Sequence, residues 1–164
     1  MSDTEYVAGV VIPIVTFIAG FVLSRFTMTK AERREDSNRS FKLAESLMEK
    51  MEAAFQEFAA ALKSYIDSGT PTFDHFYAIS TSGEKYLYQV KITCDAILTE
   101  NVDPIIRDET LVPKIKDCAN KTLPELYETL QHIAEKKGFE YSGKLEREKY
   151  LSIYTVAEKY WPIV

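Results

Sequence analysis

Two cysteines, two histidines and one tryptophan are all that the 164 residues hold of the scarcer side chains from which chemical sites are built. Cys94 and Cys118 stand far apart in no ligand-type spacing, so each reads as a reduced thiol on a buried helix face. Neither a disulfide scaffold nor a metal centre is expected. His132 follows Glu128 by four residues and precedes Glu135 by three, while His75 sits beside Asp74. Metal-binding bundles repeat a Glu-x-x-His pair on several helices, and no second copy exists here, so a solvated charged face is the expectation.

Catalytic signatures are also missing. The chain has no Gly-rich phosphate loop, no H-E-x-x-H, no G-x-S-x-G and no Cys-His pair close in sequence; the expectation is a protein that is not an enzyme, with no catalytic residue and no cofactor. No stretch of Val, Ile and Thr alternates with period two, which excludes a sheet. Outside one short segment, no basic stripe interleaves with aromatics, which argues against nucleic acid as a partner.

One long run lacks charge altogether. From Tyr6 to Ser24 the sequence reads YVAGVVIPIVTFIAGFVLS; as a helix it spans about 28 Å, close to the hydrocarbon thickness of a bilayer. A cleaved signal peptide wants a basic start, a shorter apolar region and a small-x-small cleavage site, whereas this run starts after Asp3 and Glu5. The expected organisation is an N-terminal tail and transmembrane anchor (1–26), a basic juxtamembrane neck (27–40) and a helical domain (41–164). Arg25, Lys30, Arg33, Arg34 and Arg39 follow the run, so the positive-inside rule places the N-terminus outside and the body in the cytoplasm, on an inner or plasma membrane. The same five side chains suit anionic lipid headgroups. Beyond Arg39, fifteen basic residues face twenty acidic ones, so the distal body is repelled from that surface.

The expected fold is all-α: one transmembrane helix, then a cytoplasmic antiparallel bundle of about four to five helices. Neither Gly nor Pro occurs between Gly20 and Gly69. Phe41, Ala44, Met48, Met51, Phe55, Phe58, Leu62 and Tyr65 alternate by three and four, with Leu47, Ala54 and Ala61 widening the stripe, which predicts a long bundle helix ending at Ser68-Gly69-Thr70-Pro71. A second helix is predicted from Thr72 or Phe73 to about Glu100, with Ser80 and Gly83 either admitting a close neighbour or breaking it. Asp103 reads as an N-cap before Pro104. Pro113 is expected in the first turn of a further helix, Thr122 as the cap of another that stops at Gly138, and Ser142-Gly143 as the opening of the last.

Three groups are candidate binding features. Thr16, Gly20 and Ser24, with Gly9 and Pro13 upstream, form a small-residue face suited to self-association of the anchor. Stepping back from Phe41 in heptad register reaches Gly20, so this face is in phase with the stripe of the long helix; an unbroken helix would join them, whereas Asp36-Ser37-Asn38 offers cap residues for a break. Tyr154, Tyr160 and Trp161 are candidate partner-binding aromatics, and Lys85, Tyr86 and Tyr88 form another such group. The function these features predict is a membrane-anchored helical interaction protein, a homo-oligomer that recruits or regulates a protein partner at the cytoplasmic membrane face. The alternative is a membrane-perturbing effector, as in a bacterial defence or toxin-like system, whose body senses a signal and whose anchor helices rearrange.

Overall fold

A computed structural model describes the backbone of residues 12–160 and the side chains of residues 32 and 34–160. Its first element, α1, runs Ile12–Asp67. The backbone stays helical through Asp36-Ser37-Asn38, where the sequence offers caps, because no Gly or Pro interrupts the ladder there. The chain divides into two units, residues 1–39 and 40–164. In the first, the described side chains from Glu32 to Arg39 are all exposed, and Arg39 pairs with Glu35 one turn back.

In the second unit α1 buries Ala44, Leu47, Met51, Ala54 and Phe58, whereas Phe41 and Phe55 remain 49% and 37% exposed. The packed face thus lies between the columns Ala44–Met51–Phe58 and Leu47–Ala54–Ala61, and the column of Phe41, Met48, Phe55 and Leu62 forms its edge. Sequence periodicity gives the stripe but not its centre, which depends on where the neighbours lie. At Gly69 the chain takes φ +63°, a conformation glycine adopts without strain, and the helix ends there as predicted.

Helix α2, Phe73–Leu98, runs antiparallel to α1. The pairing is read from Glu57 with Lys85 (2.6 Å) and from Phe55 edge-on to Tyr86 (5.3 Å between ring centres). Thr72 caps α2, its backbone N–H donating to Nδ1 of His75 at 3.3 Å. No break occurs at Ser80-Thr81-Ser82-Gly83. A Cβ built on Gly83 would lie 2.8 Å from Leu126 Cδ1 and 3.4 Å from Phe58 Cε2, so glycine admits a neighbour on each side. Ile79, Leu87, Val90, Cys94 and Ile97 complete the buried face, and Thr93, also buried, satisfies its hydroxyl by donating to the Gln89 carbonyl.

Between Pro104 and Lys137 the structure departs from the expected series of separate starts. Asp103 does cap as predicted, accepting from the N–H groups of Ile105 and Ile106 at 3.0 and 3.1 Å. From there helical backbone is continuous: α3 (Pro104–Ile106), a π-turn (Arg107–Leu111), α4 (Val112–Asp117), a second π-turn (Cys118–Thr122) and α5 (Leu123–Lys137). Thr122 is helical and caps nothing. The reason lies in Pro113 and Pro124. Each lacks an N–H and brings its ring against the carbonyl four residues back. In each preceding turn the hydrogen bond lengthens to a fifth-residue bond, Val112 N–H to Arg107 O and Leu123 N–H to Cys118 O. The widened turn accommodates the ring without ending the helix.

Gly138, at φ +70°, closes α5 in the left-handed conformation, with Phe139 N–H donating to Ala134 O. The last helix starts later than Ser142-Gly143 predicts: a 3-10 turn (Arg147–Tyr150) leads into α6 (Leu151–Lys159). The intervening segment is tied by Gln131 Nε2 donating to Gly143 O and by the rings of Phe139 and Tyr141 against Phe76. Among the described residues the fold is all-helical, with no strand, and α6 packs on α2 and α4. Leu111, Ile115, Leu123, Leu130, Ile153 and Val156 fill the centre. Burying each such side chain contributes about 1.5–3 kcal/mol before entropy is charged against it.

Two tyrosines lock the turn before α6. The hydroxyls of Tyr127 and Tyr150 meet at 2.8 Å in the interior. Tyr150→Phe removes one partner and leaves a buried phenol unsatisfied, so unfolding free energy should fall by about 1–2 kcal/mol. The double change with Tyr127→Phe should cost less than the two single changes added together. Additivity in denaturant melts would show that the pair makes no bond.

Candidate functional site

A cleft of about 510 Å³ lies on the second unit between α2 and the 3-10 turn. Along α2, Thr81, Glu84, Lys85, Tyr88 and Lys91 recur at helical spacing and form one wall, with Leu87 at the base; Lys149 and Tyr150 form the other. Tyr150 is fixed by Tyr127, and burial followed by that hydrogen bond pushes its phenol well above the ordinary range. Three ammonium groups therefore face one carboxylate in the lining. Lys85 is engaged by Glu57, whereas Lys91 and Lys149 enter no ion pair among the described residues. Tyr88 is 62% exposed and offers a free ring face.

A smaller groove in two parts follows the edge of α1. Its first part, about 320 Å³, lies among Met51, Glu52, Phe55, Tyr86, Pro113 and Lys114; its second, about 100 Å³, among Phe58, Leu62, Thr122, Glu125 and Leu126. Lys114 Nζ bridges the first part to Glu52 at 2.8 Å. Hydrogen bonds from Lys114, then from Gln56, hold the Glu52 carboxyl below the usual carboxylate range. The exposed pair contributes little to stability.

The sequence candidates separate accordingly. Lys85 and Tyr88 fall in the cleft, but Tyr86 turns inward to Phe55 and to Cys118, and burial raises its phenol. Tyr154 and Tyr160 are half-buried, and each already has an arginine over its ring: Arg147 at 4.5 Å and Arg107 at 4.8 Å. Tyr160 also accepts at its backbone oxygen from Lys116 at 2.7 Å. Trp161 and Gly9 lie outside the described residues, as do the side chains of Pro13, Thr16, Gly20, Ser24, Arg25, Lys30 and Arg33. Arg34 and Arg39 are exposed.

Cys94 and Cys118 are buried and free. Burial pushes both thiols up, Cys118 to about 12. His132 is exposed, and no group of His, Cys, Asp and Glu among the described residues is arranged to hold a metal ion. Among those residues no helix is long and apolar enough to cross a membrane; the side chains of the uncharged run from Tyr6 to Ser24 lie outside them.

Sequence reasoning missed Lys149 and Tyr150 as partners of the α2 face. They stand more than fifty residues along the chain, and no local pattern links them. No protein-family model matches this sequence, and neither curated proteins nor solved structures contain a significant match to it.

Proposed function

We propose that this chain is a single-pass membrane protein, N-terminus outside and helical body in the cytoplasm, that recruits or regulates a protein partner as a homo-oligomer. The observation that carries this reading is the uncharged run from Tyr6 to Ser24, long enough to span a bilayer and followed by the basic residues Arg25 to Arg39. Anchoring confines the bodies to a surface, where weak contacts become effective through local concentration. Phe41, Met48, Phe55 and Leu62 share the seven-residue register of Gly20, and two of them are exposed large apolar side chains, which supports contact between copies along α1. The groove beside Phe55 and Leu62 gives the body an apolar surface for a partner.

Carbonate extraction of membranes from expressing cells tests the anchor. The full chain should stay with the lipid and a chain lacking residues 1–31 should be soluble; release of the full chain by carbonate overturns the reading. Cross-linking in membranes tests the oligomer, with Gly20→Leu expected to reduce the yield severalfold. A chain that never cross-links is a monomer and sinks that part.

The lysine-lined cleft favours a second reading, in which the body senses a ligand and the anchors rearrange to perturb the bilayer. Anchor-dependent dye entry into expressing cells would mark this role, and full exclusion of dye would dismiss it.

A further inference from the structure

We propose that the cleft between α2 and the Arg147–Tyr150 turn binds a nucleotide, with Lys91 and Lys149 taking its phosphates and Tyr88 stacking on its base. The charge distribution gives the first argument. Beyond Arg39 the chain is net acidic, fifteen basic residues against twenty acidic, yet with Lys85 neutralised by Glu57 this cleft still sets Lys91 and Lys149 against the single lining carboxylate of Glu84. A positive concavity draws small anions, while the net acidic remainder of the body repels the surfaces of further copies. Since Lys91 and Lys149 enter no ion pair among the described residues, phosphate oxygens meet two ammonium groups without breaking an internal bridge.

Shape and lining decide between a bare anion and a larger ligand. A volume of about 510 Å³ exceeds what inorganic phosphate fills and falls in the range of small-molecule sites. Leu87 at the base and the ring of Tyr150 in the wall are apolar, the Tyr150 hydroxyl being taken by Tyr127, and the Lys149 ammonium lies 5.7 Å from the centre of that ring. Tyr88, 62% exposed on the wall, presents a flat face to which a planar base contributes about 1–3 kcal/mol by stacking. An anionic group joined to a planar ring is the ligand that uses both features. The site does not require the anchor, so its failure and that of the membrane reading are separable.

Isothermal titration of the full chain in neutral detergent with ATP, and in parallel with inorganic triphosphate, tests the assignment. ATP should bind saturably, with triphosphate at least about tenfold weaker for want of the stacked base. Lys91→Ala with Lys149→Ala should weaken both ligands about tenfold or more. Tyr88→Ala should weaken ATP alone. All three residues are exposed, so circular dichroism should show each variant folded. Absence of saturable ATP binding at about 5 mM overturns the proposal. So does triphosphate binding equal to ATP, or ATP affinity unchanged in the lysine variant. Anionic lipid vesicles that displace ATP from the cleft would reassign it to headgroups and overturn it as well.

Discussion

Gly83→Leu is expected to lower the thermal midpoint of the helical body by about 10 °C, from a loss of about 3 kcal/mol. The cause is local. The position of an added Cβ is already crowded by both Leu126 methyl carbons, at 2.8 and 2.9 Å, and by Phe58 at 3.4 Å. A leucine must push α5 or α1 away, because the interior has no vacant space to receive it. The response should rise steeply with size. Gly83→Ala asks only that the flexible end of Leu126 rotate, and alanine's helix propensity recovers about 1 kcal/mol, so its net effect should be small. Adding Leu126→Ala to Gly83→Leu should restore at least half of the lost stability, although Leu126→Ala alone destabilises by about 2–5 kcal/mol. Equal midpoints for wild type and Gly83→Leu, by calorimetry or circular dichroism, would show that the three helices do not meet there.

The second large effect is on alkaline stability. Burial raises the Cys118 thiol from its ordinary value near 9 to about 12, and Cys94 moves in the same direction for the same reason. The thiolate is the disfavoured form in the fold, so as pH rises the unfolded chain loses its proton first. The contribution is therefore fully present below the ordinary thiol value and falls as pH climbs toward the folded one. For Cys118 the loss reaches about 3 kcal/mol near pH 11. Cys118→Ala should be less stable than wild type by about 1 kcal/mol at neutral pH, from the lost packing, yet more stable at high pH. The two profiles of urea midpoint against pH should cross. Parallel profiles would mean that the thiol titrates at its ordinary value. The Tyr150 transition occurs in both proteins and cancels in the difference, whereas Tyr86, which meets the Cys118 thiol, titrates in concert with it and contributes to the crossing.

How much of this was legible in the sequence follows from the range of each signal. Asp103 before Pro104, Gly69 and Gly138 act on backbone within a few residues, and each stands where its chemistry predicts. The α1 stripe was legible as a period but not as a direction: Phe58 is buried where Gly83 of α2 and Leu126 of α5 come close, while Phe41 and Phe55 stay exposed, and that approach is a tertiary fact. Pro113 and Pro124 read as first-turn residues of separate helices and do stand in first turns, but a preceding turn that widens to keep the helix continuous is not visible in a sequence. The cleft was half legible. Lys85 and Tyr88 drew notice as a group, while Lys91 resembles any solvated lysine until Lys149 is folded across from it. Burial of Cys94 and Cys118 was the expectation and is the finding.

The two wide turns ahead of the prolines have a bearing on how this chain can vary. A turn closed by a fifth-residue bond holds one residue more than an α-helical turn needs. Elsewhere in a packed helix, losing a single codon rotates everything downstream by about 100° and swaps the core face for the wet one. At Arg107–Leu111 and Cys118–Thr122 the helix carries slack of that size, so a deletion can be absorbed by relaxing the wide turn to a normal one, provided the proline whose ring that turn accommodates is replaced as well. Leu123, Leu126 and Leu130 would then keep facing inward. The stretch from Pro104 to Lys137 is in this sense spliced rather than continuous, with two joints at which its length is adjustable by one residue.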